Sequence, residues 1–545
     1  MHSKTSRPRA VEDGFTSLRS ELLNLNGSAR PALLWLLTIL LWTPGIGNLP
    51  LRDWDEGRVA NVARSTVAHM NLGQAGNDWF MAWKWDGAYL NKPPGLHWLI
   101  GTSTQVFGEQ EWAVRLLPCL IASLAVPLLL LLRRQLGGDG AEKKALLAAL
   151  ILMTLMPMAR HGRLAMLDGS LVTSVLMLWT GWLSSRSTPW HGLLAGVGAT
   201  GILMLKPPAL IGFLLITAAI SLLDRRQSHW RGTSLLWVSA GISPGISWHA
   251  WHLAQRGSSA LVMWGGQGFN RIAGVVGDST GAFIMPITEV LEGGWPWLLL
   301  LPLGIKMAWQ KRLQFSGRWQ LGLLLGSSAL VLPLRSQLPW YSHLLWPAIA
   351  LLCAEGLDQL LSSGRPRWIS RTWALIGAVL LIGNLLMASY SMPIELPRIA
   401  LLCAGGGLLA GGVQMVQPTK KRRHLGLITL LVGWCAGLLA LWHSQLWIWE
   451  LNESWDPRPV AREIRELPKE AQVTLKGPTR PSLGWYANRD MLQEASEIEK
   501  SKWVVSDKPM KGCEAVLATM PSIPEEDPWL LWYCTFSQER LEGGP

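Results

Sequence analysis

Apolar runs long enough to cross a bilayer recur along the whole chain, beginning with Pro31 to Leu49. A hydrocarbon core about 30 Å thick needs about 20 residues of helix, and inside it every backbone polar group must find its partner within the membrane-embedded structure. The runs therefore predict an α-helical bundle that spans a membrane. Hydrophobic residues make up 49% of the chain and charged residues only 16%, against about 25% charged in soluble domains, which excludes a large soluble enzyme. In a soluble chain the formal charge of +12 would suggest nucleic acid. Here the basic residues form short clusters between apolar runs, as the positive-inside rule expects of cytoplasmic loops, so no nucleic-acid partner is predicted.

Thirteen spans are read between Pro31 and Trp447, with the amino terminus in the cytoplasm. Charge tests that count independently, because every second loop should then be basic. Each is: Arg133, Arg134, Lys143 and Lys144 come first, Arg186 next, then Arg225, Arg226 and Arg231, then Lys306, Lys311, Arg312 and Arg318, then Arg365, Arg367 and Arg371, and last Lys420 to Arg423. The weakest pair is the fifth and sixth spans, divided by Lys206-Pro207-Pro208 and each short for a crossing. No small-residue cleavage site follows the first run, so that span is expected to remain as an anchor. The prediction is a multi-pass protein of the plasma (inner) membrane with a cytoplasmic tail 1–30, a transmembrane domain 31–449 whose first external loop is 51–112, and a periplasmic soluble domain 450–545.

Beyond Trp447 the composition turns charged and polar. Ala461 to Leu467 reads as a short helix, and Gln472 to Leu475 and Lys502 to Ser506 as short strands, predicting a small α/β domain. Four cysteines, Cys119, Cys353, Cys403 and Cys435, lie in apolar segments and read as small hydrophobes. Cys513 and Cys534 are the two in polar sequence. Outside the cytoplasm disulfides form, and these two are expected to pair; a pair of free thiols is the alternative. The 33 tryptophans are spread along the chain, a pattern that fits interfacial belts.

A first external loop of about 60 residues is long for a bundle connection, and such loops usually carry function. Within it Asp53-Trp54-Asp55-Glu56-Gly57-Arg58 sets three carboxylates and a guanidinium directly after a span. Carboxylates grouped at low dielectric raise one another's pKa, which suits a general base or a metal ligand. A solvated acidic turn ahead of a helix from Val59 to Met70 is the plainer alternative. Further on, Tyr89 precedes Asn91-Lys92-Pro93-Pro94-Gly95. The two prolines stiffen the backbone beneath Lys92, whose ammonium suits a phosphate unless it merely snorkels.

Three other external segments add candidates. Arg160, Arg163 and Asp168 stand at the start of the fourth span, where a carboxylate marks a functional site by default or a salt bridge to Arg163 or Arg115. Asn270 and Arg271 lie among glycines, suited to an anion, and Arg335 to His343 gathers polar groups with Trp340 and Tyr341. Either of these alone reads as an interfacial anchor. Under a topology set only by charge, Asp55, Lys92, Asp168, Arg271 and Tyr341 share one side of the membrane.

At Asp53 to Arg58, Tyr89 to Gly95, and Phe107-Gly108 followed by Arg115-Leu116-Leu117-Pro118, the chain resembles the GT-C polyprenyl-phosphate-dependent glycosyltransferases, within the aminoarabinose transferase and protein O-mannosyltransferase superfamily. The resemblance implies that Asp55 is the catalytic carboxylate and Asp168 a second acidic catalytic residue. Lys92 and Arg271 would contact the lipid phosphate with help from Arg58, and Glu56, Tyr89, Arg115 and Tyr341 would line the substrate pocket. Asn91 stands where the aminoarabinose enzymes carry an acidic residue that can bind metal, Val59 replaces a tyrosine, and Gln337 a lysine. A divalent cation is therefore left open as a cofactor.

The implied reaction is inverting transfer of a sugar from a polyprenyl-phosphate donor to a lipid, glycan or protein acceptor on the periplasmic face, among membrane lipids. Such a donor carries its own leaving group, so the enzyme needs a base for the acceptor and positive charge for the departing phosphate. No GxGxxG or P-loop pattern is present. Two alternatives stand beside it: a non-catalytic scaffold that binds the lipid carrier, and a lipid-linked sugar transporter, which would want ionisable residues at mid-membrane depth.

Overall fold

The structure is a computed structural model that describes residues 29–71, 80–85, 87–224, 232–266, 270, 284–335, 338–389, 395–447, 456–491, 502–518 and 529–534. Among these, four helices are long and apolar enough to cross a membrane: Glu111–Gln135, Arg367–Leu386, Leu396–Val416 and Lys420–Trp442. Ala141–Thr154 and Met156–Gly162 add a fifth if that pair, bent by 62°, is one span. Helices overlap the other expected spans but are shorter, interrupted or less apolar. Ala29–Trp42 stops ahead of Thr43-Pro44-Gly45 rather than running to Leu49. The run expected from Val290 to Ala308 is divided into Met285–Gly293, a 3₁₀ turn Trp297–Leu300 and Leu301–Gln310, with Gly294 and Pro296 between the pieces.

Buried tryptophans repair these breaks. Pro157 has no N–H to give the Met153 carbonyl, and the Trp42 indole donates to that oxygen instead at 3.0 Å. Trp434 donates to the Thr154 carbonyl at 2.9 Å, and Trp373 to the Pro296 carbonyl at 2.8 Å. Among the described residues eight tryptophans are fully buried, Trp42, Trp179 and Trp297 among them. The expectation of interfacial belts is thus corrected in part: a donor on a large apolar ring serves carbonyls that a membrane interior would otherwise leave unpaired.

The two ends of the bundle have different polar chemistry. Basic residues of loops read as cytoplasmic meet the end of helix Trp346–Ser363: Glu355 binds Arg133 at 2.6 Å and Lys144 at 3.0 Å, Lys143 binds Asp358 at 2.7 Å, and Arg423 donates to the Leu361 carbonyl at 2.9 Å. Arg318 pairs with Asp224. The segments read as external gather elsewhere. There Arg58–Asn71 and Gly95–Phe107 pack together, joined by a small hairpin of β1 (Trp83–Lys84) and β2 (Gly87–Ala88).

The carboxy-terminal part is α/β. Its sheet has β3 (Val473–Lys476), β4 (Trp503–Ser506), β5 (Cys513–Ala518) and β6 (Leu530–Cys534) in the order β3-β4-β6-β5. β3 and β4 are parallel, and the other neighbours antiparallel. Helices Arg458–Glu466 and Pro481–Ala487 complete it. Cys513 and Cys534 face each other in the β5–β6 register and form a disulfide, while Cys119 and Cys353 are free and buried.

Candidate active site

Three carboxylates in one turn are sorted by three different neighbours. Asp53–Gly57 is a single π-helical turn, closed by the Gly57 N–H donating to the Arg52 carbonyl at 2.6 Å. Asp53 is buried and turned toward the carboxy-terminal domain, where it accepts from Arg480 Nη1 at 2.8 Å and from Ser482. Glu56 is fully buried on the other side. It accepts from Arg115 Nε and Nη2 at 2.8 and 2.6 Å, from the Arg52 N–H at 3.1 Å and from the Ala165 N–H at 2.8 Å. Burial alone would push the Glu56 carboxyl up, but the Arg115 charge and these hydrogen bonds outweigh it and hold it below its usual value. Asp55 remains, with its side chain 31% exposed.

Asp55 opens into a cavity of about 120 Å³ that collects residues from five separate segments, the fifth carrying Lys206. Arg58 and Trp54 come from the same turn, with the guanidinium 4.7 Å from the indole centroid. Tyr89, Asn91 and Lys92 come from the proline-stiffened loop, Asp168 from the start of helix Leu167–Ser184, and Trp340 and Tyr341 from the 3₁₀ turn Pro339–Leu344. The Glu56 bond to Ala165 sets the spacing, because it ties the turn carrying Asp55 to the backbone three residues before Asp168. Burial raises the Asp55 carboxyl above its usual range; Arg52, 3.7 Å away, Lys206 and Arg58 oppose that shift, and the Asp168 charge adds to it. A carboxyl with raised proton affinity beside a polar cavity is suited to take a proton.

Of the expected site residues, Asp55, Arg58, Tyr89, Lys92, Asp168 and Tyr341 are brought together. Glu56 and Arg115 are corrections. Neither lines the cavity: Arg115 has no exposure and spends its guanidinium on Glu56 and on the carbonyls of Ile46, Leu49 and Pro50. The salt bridge of Asp168 to Arg163 or Arg115 is also corrected, because Asp168 binds Lys206 at 2.7 Å and Arg163 donates to the Trp42 and Pro44 carbonyls. Arg271, Ser336 and Gln337 lie outside the described residues; Asn270 is exposed.

Lys206 is the member that sequence reasoning missed. It lines the cavity, and its ammonium is 5.1 Å from the Tyr341 ring centroid. The signal was in the chain, since Lys206-Pro207-Pro208 repeats Lys92-Pro93-Pro94: a lysine held ahead of two prolines at the start of a helix. Among the described residues no three His, Cys, Asp or Glu side chains are grouped to hold a metal. Asn91 is neutral and Asp168 is taken by Lys206, so this donor set does not fit a resident cation.

A family model described as dolichyl-phosphate-mannose-protein mannosyltransferase matches residues 91–248. A Pseudomonas fluorescens protein named undecaprenyl phosphate-α-4-amino-4-deoxy-L-arabinose arabinosyl transferase 1 is 26% identical over 433 residues, 76% of this chain and 73% of that protein. A Pseudomonas aeruginosa protein with the same name, without the numeral, is 27% identical over 423 residues, 74% and 69% of the two chains. The crystal structure of apo ArnT from Cupriavidus metallidurans superposes with a TM-score of 0.70 at 15% identity, covering 92% of this chain and 97% of that one. By sequence and by fold the chain is similar to the GT-C glycosyltransferases. The fold is shared more widely, since the Archaeoglobus fulgidus oligosaccharyltransferase matches with a TM-score of 0.53 at 10% identity, over 88% of this chain and 69% of that one. Its apolar helices and this fold are those of a multi-pass membrane protein, and its cavity sits where the Asp53–Gly57 turn, helix Leu167–Ser184 and the Pro339–Leu344 turn converge.

Proposed function

We propose that the enzyme moves a sugar from a polyprenyl-phosphate carrier to a hydroxyl of a lipid or glycan on the external face of the membrane. One observation carries this: a single cavity joins a carboxyl of raised proton affinity, Asp55, to three cations, Arg58, Lys92 and Lys206. Asp55 takes the acceptor proton as the acceptor oxygen attacks the anomeric carbon. The bond from that carbon to the phosphate oxygen breaks, and polyprenyl phosphate leaves with charge that Lys92, Arg58 and Lys206 neutralise. Direct displacement inverts the anomeric centre. Asp168 orients Lys206, and Tyr89, Trp54 and Tyr341 bound the space for the sugar. Arg271 is a further candidate for the phosphate.

The apolar surroundings support a prenyl carrier. A groove of about 410 Å³, lined by Phe80, Trp98, Met204, Pro244, Trp248 and Trp251, lies beside the charged cavity. Met204 precedes Lys206 by two residues, and a Cβ on Gly95, three residues after Lys92, would come within 2.8 Å of Met204, so the groove adjoins both lysines. The relatives named above act with undecaprenyl phosphate, which is the donor carrier favoured here. Thirteen spans, a cytoplasmic amino terminus and a periplasmic carboxy-terminal domain fit the separation of the two polar ends and the docking of that domain beside Asp55.

Lipid extracts from a strain lacking the gene test the donor. Accumulation of one polyprenyl-phosphate-linked sugar, with loss of that sugar from an envelope lipid or glycan, is expected. Unchanged lipid-linked sugars would refute the reading.

A further inference from the structure

The turn that carries Asp55 is held from outside the transmembrane bundle. We infer that helix Pro481–Ala487 of the carboxy-terminal domain positions Asp55 for transfer, through a clamp in which Arg480 and Ser482 grip Asp53. This rests on the catalytic reading of Asp55 above.

Hydrogen bonds at both ends and in the middle fix the helix to the first external loop. At one end the Asp53 carboxylate accepts from Arg480 Nη1 at 2.8 Å, from the Ser482 N–H at 3.3 Å and from the Ser482 hydroxyl. At the other end the Tyr486 hydroxyl accepts from the Leu51 N–H at 2.8 Å and donates to Glu111 at 2.9 Å. Between them Arg64, on the helix that follows the turn, donates to the Trp485 carbonyl at 2.8 Å, and Asn61 donates to the Pro481 carbonyl at 2.7 Å. Gly57 makes the approach possible, since a Cβ there would sit 2.4 Å from the Ser482 nitrogen.

A five-residue π turn has few internal bonds to keep its shape. Asp53 and Glu56 are anchored on opposite sides, one by this domain and one by Arg115, and Asp55 between them is aimed by both. Releasing Asp53 leaves the sequence of the turn unchanged but frees one of its two supports. Arg480 and Ser482 do not line the cavity, so they are positioning residues and touch no substrate. Misplacing a catalytic group by about 1 Å can cost on the order of 100-fold in rate, so a loss of about 10- to 100-fold in kcat is expected with little change in donor affinity.

The test uses the full-length protein in detergent or vesicles, comparing wild type with Ser482→Ala, Arg480→Gln, Arg480→Lys and Gly57→Ala. Hydrogen–deuterium exchange over residues 53–58 reads the clamp without any transfer assay, and it should quicken in Ser482→Ala, Arg480→Gln and Gly57→Ala but not in Arg480→Lys. Transfer per folded molecule should show kcat reduced, the donor KM within about twofold, and activity recovered in Arg480→Lys. Unchanged exchange in Ser482→Ala and Arg480→Gln overturns the clamp. Faster exchange with wild-type kcat overturns the positioning role. Should wild type itself transfer no sugar, the function reading fails, and the exchange data still decide the clamp separately. A variant that does not fold leaves Arg480→Lys against Ser482→Ala as the deciding pair.

Discussion

Asp55 and Glu56 are neighbours in sequence with opposite expected effects on stability, and replacing each by its amide separates them. Glu56 accepts four hydrogen bonds and pairs with an Arg115 that has no exposure. Glu56→Gln keeps the shape but removes the charge and turns an N–H₂ toward donors. Breaking one partner of a buried ion pair costs about 3–5 kcal/mol. Arg115 keeps its bonds to the carbonyls of Ile46, Leu49 and Pro50, which places the loss near 3 kcal/mol, the lower end of that range. For a chain of 545 residues, at about 2.1 cal/mol/K of unfolding entropy per residue, this is a fall in Tm of roughly 3 °C. Because the Glu56 carboxyl is held below its unfolded value, its contribution is present at neutral pH and is lost only as pH falls through the lowered pKa. Asp55 has the reverse sign. Its raised carboxyl favours folding below the unfolded pKa and loses that as pH rises through the folded one, so Asp55→Asn should match or slightly exceed wild-type stability at pH 7. Thermal unfolding of purified protein followed by size-exclusion chromatography measures both. Equal Tm for Glu56→Gln and wild type, or a lower Tm for Asp55→Asn than for Glu56→Gln, would refute the division of roles.

Other outcomes follow from the same geometry. The acid limb of the kcat profile should lie above the usual carboxylate range, moving further up in Lys206→Met, which removes a cation that lowers the Asp55 pKa, and down in Asp168→Asn, which removes an anion that raises it; limbs that stay fixed would remove Asp55 as the titrating base. Lys92→Ala should weaken donor binding more than it alters Tm, and unchanged affinity in a vesicle-binding assay would return Lys92 to snorkelling. Cys513→Ser should destabilise the carboxy-terminal domain by about 3 kcal/mol on the chain-entropy account of a loop this size, and non-reducing peptide mapping should recover the Cys513–Cys534 pair; labelling of these thiols from the cytoplasmic side alone would overturn the thirteen-span topology.

Hydrophobic pattern and charge alternation made the bundle and its two polar ends legible, because membrane-spanning helices must be apolar and basic loops remain inside. The breaks were harder to read. Pro157 and Pro296 sit within apolar runs, and whether such a run stays one span depends on tryptophans from distant helices that donate to its carbonyls. In the site, Asp55, Lys92 and Asp168 were found through residue types that are expensive at a membrane edge. The roles of Glu56 and Arg115 were not visible, since which carboxylate of Asp53-Trp54-Asp55-Glu56 points where is settled by Ser482 and Ala165, far away in the chain. Lys206 was read only as a divider between two short spans, although its two prolines matched those beside Lys92.

Single-turnover transfer from a purified polyprenyl-phosphate sugar, measured with wild type and Asp55→Asn under saturating donor, tests the central claim. The account predicts that Asp55→Asn binds donor as wild type does but loses transfer by at least about 100-fold, within the 10²–10⁴ expected of a general base. Near-normal transfer by the pure variant would contradict it.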